Sequence, residues 1–206
     1  MLTAPVVVAL GLLVRAETPG PALFRAPRIG REGRVFTCYK LRTMHHASPA
    51  PGHAVSISED PRVTRVGRAL RRTRLDELPQ FWNVARGDMR LVGPRPEDPR
   101  FVDFADPVHR VVFRAMPGIT GLSQLAYIRE SDLLVGGDPD TLYRERILPA
   151  KVAIDARYLA NRSASLDLWI LWRTLRAMSG RVTPMAEIDR RCPGNGRLAV
   201  VPGGED

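Results

Sequence analysis

Cysteine is nearly absent, with Cys38 and Cys192 the only two in 206 residues. They are far apart and no Cys-x-x-Cys or Cys/His ligand spacing accompanies them, which excludes a disulfide scaffold and a structural zinc site and fits a reducing compartment. Lysine is as scarce: of 31 basic residues only Lys40 and Lys151 are lysines. Arginine usage is therefore high everywhere, and any single arginine says little about phosphate. The net charge of +9 still favours an anionic partner, either a phosphate ligand, an acidic lipid or nucleic acid. Aromatic residues make up 6% of the chain and none interleaves the arginines of residues 62–74. Without stacking platforms there, no nucleic-acid partner is expected. No apolar run is long enough to span a bilayer. The longest, residues 2–14, reaches about 20 Å at ~1.5 Å per residue, against a hydrocarbon core of ~30 Å. Before Glu17 it has neither a basic leader nor a clean small-residue cleavage site, which argues against a signal peptide. A lipid-facing segment and an ordinary buried one both remain open. No internal repeats occur, and the length suits one sizeable core.

What is present centres on residues 60–97, where the adjacent acids Asp76 and Glu77 lie in an arginine-rich run. Leu78, Phe81, Trp82 and Ala85 recur at helical spacing and Gly87 follows, which predicts a short amphipathic helix ending near Arg86. Two starts compete. Thr73 as N-cap would give Asp76 a capping-box place and a purely structural role. That start puts Pro79 deep enough to delete a helical hydrogen bond, at about 3 kcal/mol. A start near Asp76 places Pro79 in the first turn and leaves the carboxylate at the positive end of the helix. Beyond it, Gly93-Pro94-Arg95-Pro96 presents one arginine between two prolines.

The run 71–80, then Asn83-Val84, Gly87-Asp88-Met89, Leu91-Val92-Gly93-Pro94-Arg95-Pro96 and Pro117-Gly118-Ile119-Thr120-Gly121-Leu122, resembles the bacterial sugar transferase family. These are the monotopic phosphoglycosyl transferases that begin glycan assembly on a polyprenyl phosphate, and the resemblance covers roughly residues 5–178. It implies transfer of a phospho-sugar from a UDP-sugar donor to a polyprenyl phosphate acceptor with release of UMP. Asp76 would be the nucleophile and Glu77 the carboxylate associated with Mg2+, with Asp76 possibly sharing the ion. Adjacent residues on a helix diverge by about 100°, which fits two separate roles. Lys40, Arg42, Arg71 and Arg95 are the expected phosphate contacts, Lys40 and Arg42 lying in a Lys-x-Arg-Thr-Met run that the family shares. The resemblance also implies a place on the cytoplasmic face of the bacterial inner membrane, entered by a helix broken at a Ser-Pro pair. Here Ala4-Pro5 stands at the break with almost nothing before it, so either the true start lies upstream or the anchor is reduced. A non-catalytic basic module, or a family member without turnover, would be the alternative.

The rest of the chain predicts an α/β mixed fold (α+β), a small sheet with several short helices and an N-terminal re-entrant or interfacial membrane segment. Residues 34–44 read as a strand with Lys40 and Arg42 on one face. After Pro61 comes a short helix with Val63, Val66 and Leu70 inward and Arg65, Arg68 and Arg72 outward. Residues 45–59, with His45, His46 and His53, read as a loop without metal-ligand spacing. Residues 98–113 read as a helix that Pro107 bends or divides. A helix capped by Thr141 is expected to run through Tyr158 with a bend at Pro149. The helix after Leu166 carries Trp169 and Trp172 and suits either an interface or the core. Three regions follow: a membrane-associated segment over 1–18, using Pro5, Leu10, Leu12, Leu13, Trp169 and Trp172 at the membrane surface; a catalytic domain over 19–180; and a loosely ordered tail over 181–206.

Overall fold

The computed structural model describes residues 3–46 and 53–193. Helix α1 (Ala4–Glu17) has Pro5 in its first turn, where a missing N–H goes unnoticed. It ends at Thr18, whose N–H reaches the Val14 carbonyl at 3.2 Å, ahead of Pro19. Strands β1 (Leu23–Ile29) and β2 (Val35–Leu41) pair antiparallel, Leu23 opposite Leu41 and Ile29 opposite Val35. Helix α2 (Arg65–Thr73) is capped by Thr64, whose hydroxyl accepts from the Gly67 N–H at 2.9 Å. After a 3-10 turn at Leu75–Glu77 comes α3 (Gln80–Arg86), ended by Gly87 at φ 80°. Strand β3 (Arg90–Val92) pairs in parallel with β4 (Gly118–Thr120), so the expected single sheet is two small ones. A Cβ on Gly118 would stand 2.1 Å from the Gly93 nitrogen, so only glycine lets these two loops touch backbone to backbone.

Between the two strands lie a 3-10 turn at Pro99–Phe101 and α4 (Pro107–Val112), so the proline divides the expected helix by starting the second piece. Helix α5 (Leu122–Ala126) is followed by a 3-10 turn at Glu130–Leu133. Helix α6 (Pro139–Leu142) begins at Asp138, whose carboxylate caps the Thr141 N–H; Thr141 is the capped residue, not the cap. A π turn at Tyr143–Ile147 leads into α7 (Leu148–Ala160), and the wider turn absorbs the hydrogen bond that Pro149 cannot donate. Helix α8 (Ala164–Ala177) and α9 (Met185–Arg191) complete the described chain. Residues 185–191 thus depart from the expected loose tail, because Ile188 and Cys192 are fully buried against Tyr158 and Ile170. Residues 194–206, the rest of that tail, and residues 47–52 of the histidine loop lie outside the described residues.

The main core joins α5, α7, α8 and α9 through Leu122, Ile154, Tyr158 and Ile170. A second cluster, with Phe101, Val112, Tyr143 and Ile147, holds α4 and the π turn together. Trp169, expected at a membrane surface, is 8% exposed and packed in the main core, whereas Trp172 is 47% exposed with the guanidinium of Arg176 over its ring. Helix α1 docks on β2 and α2 through Val14, Leu41 and Leu70, with Leu10 packed alongside, while Pro5, Leu12 and Leu13 face outward. Its last residue, Glu17, accepts from the Arg65 and Val66 N–H groups at 2.8 and 3.1 Å and so caps α2 from outside. No helix among the described residues is long and apolar enough to cross a membrane. The break expected at Ala4-Pro5 coincides with the start of α1.

Candidate active site

Helix α2 ends because Arg74 adopts the left-handed conformation, φ 56° and ψ 17°, which is uncommon and costly for a residue with a side chain. Its N–H closes on the Leu70 and Arg71 carbonyls, and the next residues wind into the separate 3-10 turn that carries Asp76 and Glu77. The capping role is overturned. The Thr73 hydroxyl donates back to the Ala69 and Leu70 carbonyls at the end of α2, and Asp76 caps nothing. The expected helix start near Asp76 is likewise replaced by the turn, with α3 beginning at Gln80.

Helix α3 also lies opposite to the expected way round. Phe81 and Trp82 are exposed, and Gln80 and Asn83 are buried. Asn83 completes the open edge of β2: its Oδ1 accepts from the Tyr39 N–H at 3.1 Å and its Nδ2 donates to the Thr37 carbonyl at 2.7 Å. Pairing an otherwise bare strand edge outweighs burying two aromatic rings on this short helix. The result anchors the Asp76 turn directly against β2, and so against Lys40.

Asp76 is 9% exposed and, among the described residues, its carboxylate accepts no hydrogen bond. Burial raises its pKa, an effect that Lys40 and Arg71 only partly offset and the Glu77 charge reinforces. Glu77 behaves oppositely. Burial works against its charge too, yet Lys40, Arg74 and Arg95 hold its pKa well below the usual range. Lys40 Nζ donates to Glu77 Oε1 at 2.9 Å, and Arg74 Nη1 stands 3.6 Å from Oε2. Two neighbouring carboxylates are thus pushed apart in acidity, Glu77 held ionised by its ion pairs and Asp76 poorly solvated, with no hydrogen bond to its carboxylate among the described residues. That asymmetry suits separate chemical roles.

The expected phosphate contacts divide. Arg71 donates through Nε to Thr43 Oγ1 at 2.8 Å, with Asp76 and Asp60 as its attractive charges. Gly67 makes this possible, since a Cβ there would stand 2.1 Å from the Thr43 carbonyl oxygen. The Arg95 N–H bonds Asp155 Oδ2 at 3.4 Å, and its guanidinium forms no hydrogen bond or ion pair among the described residues. Arg42 is a correction. It follows the end of β2 and turns onto the carbonyls of Pro21, Pro19 and Thr18, at 2.7, 3.0 and 3.0 Å, so its guanidinium fastens the turn after α1 instead of standing free for a phosphate.

An open cleft of about 1250 Å3 brings together Asp76, Glu77, Lys40, Arg71, Arg95 and a second group that the sequence reading did not single out. In it, Lys151 Nζ donates to Glu130 Oε2 at 2.6 Å and to the Tyr143 hydroxyl at 3.2 Å, and that hydroxyl donates to Glu97 Oε2 at 2.5 Å. Asp155, pushed up to about 6 by burial, accepts from the Ser123 hydroxyl at 2.8 Å as well as from Arg95, fastening the two glycine loops to α7. One signal was available. In a chain that uses arginine almost everywhere, both lysines lie at this cleft, each on a carboxylate.

For a metal the donor set is sparse. Among the described residues no group of three or more His, Cys, Asp or Glu side chains converges, and His53 instead pairs with Asp138 at 3.2 Å. Asp76 and Glu77 offer carboxylate oxygens, and Gln124 Oε1, buried and unpartnered, adds an amide oxygen bordering the cleft. A few hard oxygens, with the remainder left to water and substrate phosphate, is the set that suits Mg2+.

Comparison with known proteins finds relatives that match most of this chain. The chain is 40% identical over 191 residues to a UDP-glucose:undecaprenyl-phosphate glucose-1-phosphate transferase of Caulobacter vibrioides, covering 91% of this chain and 65% of that protein. It is 39% identical over 180 residues to a UDP-N-acetylgalactosamine-undecaprenyl-phosphate N-acetylgalactosaminephosphotransferase of Aeromonas hydrophila, covering 86% and 40%. Against the exopolysaccharide production protein PSS of Rhizobium leguminosarum bv. phaseoli the identity is 33% over 182 residues, covering 85% and 86%. The chain therefore spans 65% and 40% of the length of the first two relatives. Residues 1–181 match the bacterial sugar transferase family, and the chain belongs to it.

Proposed function

We propose that the protein transfers a sugar-1-phosphate from a UDP-sugar to a polyprenyl phosphate, releasing UMP and initiating assembly of a glycan. The observation that carries this reading is the Asp76 carboxylate, buried and accepting no hydrogen bond among the described residues, with Lys40 and Arg71 as neighbouring charges and Arg95 lining the same cleft. A carboxylate oxygen of Asp76 attacks the sugar-bearing phosphorus, and the bond to the bridging oxygen breaks, its electron pair leaving with UMP. An oxygen of the polyprenyl phosphate then attacks the same phosphorus and the aspartate departs with its pair, giving the polyprenyl diphospho-sugar. Lys40, Arg71 and Arg95 lower the repulsion between two anions that must meet. Glu77, with Asp76 and Gln124 lining the same cleft, would hold Mg2+, which when bound supplies further neutralisation of the diphosphate.

The acceptor is a lipid, and the exposed Pro5, Leu12 and Leu13 of α1 and Trp172 of α8 suit contact with the cytoplasmic face of the inner membrane without crossing it. Residues 1–18 would be the membrane-associated segment, and the catalytic body would run from 19 to beyond α9. The test is intact-protein mass spectrometry after incubation with UDP-glucose or UDP-N-acetylgalactosamine and no acceptor. Wild type should release at most one UMP per site and retain a phospho-sugar, and Asp76→Asn should do neither. Transfer by Asp76→Asn at near wild-type rate would exclude the covalent route.

A further inference from the structure

Glu130 is held in an unusual way. Its Oε2 takes the ammonium of Lys151, which is itself 4% exposed, braced by the Tyr143 hydroxyl and seated 5.1 Å from the centre of that ring. Behind Tyr143 stands Glu97, whose other oxygen accepts from the Asp98 N–H at 2.8 Å. Every member of this relay is satisfied except at its outer end: among the described residues, Glu130 Oε1 accepts nothing, and Glu130 borders the cleft with Arg95. A desolvated ion pair is seldom the most stable filling for such a place, since apolar residues of similar size often do as well. Its particular product is one carboxylate oxygen left unpaired, among the described residues, on a cleft that the Arg95 guanidinium also lines.

We infer that Glu130 receives a hydroxyl of the donor substrate, oriented for it by Lys151 and Tyr143. The inference rests on the donor being a nucleotide sugar. An anionic acceptor repels phosphate, and the flanking Lys151 and Arg95 disfavour a second metal ion, so the ligand group that fits is an uncharged O–H donor. Arg95, bordering the cleft with both Glu77 and Glu130, would take the diphosphate, and the hydroxyls attached to either end of it come next. They have two sources, the ribose and the transferred sugar.

Calorimetric binding to the full chain separates them. UDP-glucose, its 2′-deoxyribose and 3′-deoxyribose analogues, and UDP-sugars deoxygenated on the pyranose are titrated into wild type and Glu130→Gln, with melting temperature read in parallel. Removing the one hydroxyl that Glu130 holds should weaken wild-type binding about tenfold or more, the scale of a hydrogen bond to a charged group. Glu130→Gln should weaken binding of the parent donor by a similar factor and be indifferent to that same deletion. A ribose dependence assigns the nucleoside, and a pyranose dependence assigns the sugar. If wild type binds every deoxy analogue within twofold of the parent, or if Glu130→Gln lowers the melting temperature while keeping the hydroxyl dependence, the inference is overturned and the pair is a structural tie. The wild-type arm decides even if the variant does not fold. Hydroxyl-dependent binding without UMP release would instead overturn the transfer reaction alone, and no binding of any nucleotide sugar would overturn both.

Discussion

Replacing Asp76 by Asn should make the folded protein more stable at neutral pH while abolishing transfer. The side chain is 9% exposed, forms no hydrogen bond among the described residues, and has a pKa raised to about 6, chiefly by burial. An unfolded aspartate titrates near ~3.9, so the folded state holds its proton about two units longer, equivalent to roughly 1–3 kcal/mol once sharing with Glu77 is allowed for. The sign follows from which state binds more protons. Below about pH 4 Asp76 is protonated in both states and carries no penalty. As pH rises towards and through the raised pKa the folded state must ionise a buried group, so wild type loses that stability relative to the Asn variant. Urea unfolding at pH 8 should therefore show Asp76→Asn ahead by about 1–3 kcal/mol at equal m, and the gap should close by about pH 4. A variant less stable than wild type at pH 8, or a gap that ignores pH, would refute the account of Asp76 as a buried carboxylate whose charge is poorly compensated.

Asn83→Ala should lower stability by about 2–4 kcal/mol, because the Tyr39 N–H and Thr37 carbonyl lose their partner; thermal melting measures it. Turnover should stop in excess chelator, and Glu77→Gln should cost at least about a hundredfold where Glu32→Gln, on an exposed turn, stays within about twofold. Arg42→Met should loosen the turn after α1 and reduce stability by about 2–4 kcal/mol, while leaving affinity for UDP within about threefold; calorimetry on folded protein checks this. Leu12→Ser with Leu13→Ser should weaken sedimentation with anionic liposomes and leave the melting temperature nearly unchanged, since both side chains face outward.

The adjacent acids, the arginines before them, the glycine loops and strand β2 were legible because each depends on neighbours in sequence. Helix α2 was legible too, its Val66 and Leu70 inward and Arg65, Arg68 and Arg72 outward. The orientation of α3 was not. Apolar spacing assumes that the rings seek the core, whereas here a strand edge 46 residues away needed an amide and took Asn83. Arg42 misled for a related reason: the strand that would have kept it on the face of Lys40 ended at Leu41, and the next side chain was free to turn towards carbonyls of the preceding segment. The Glu97, Glu130, Tyr143 and Lys151 relay brings together four stretches of chain, and nothing local marks any one of them. Helix α9 was hidden by the glycine and prolines around it, although Ile188 and Cys192 supply the apolar contacts that dock it.

The contact of Glu17 with the first amides of α2 has a mechanical meaning. Sliding α1 along its axis by one residue, about 1.5 Å, would pull the carboxylate off both N–H groups and misalign Val14 with Leu70. The joint is therefore keyed lengthwise, and the two helices translate as one piece. Arg71, near the far end of α2, is indexed through that joint to α1, so its position along the α1 axis is set to within about one residue's rise.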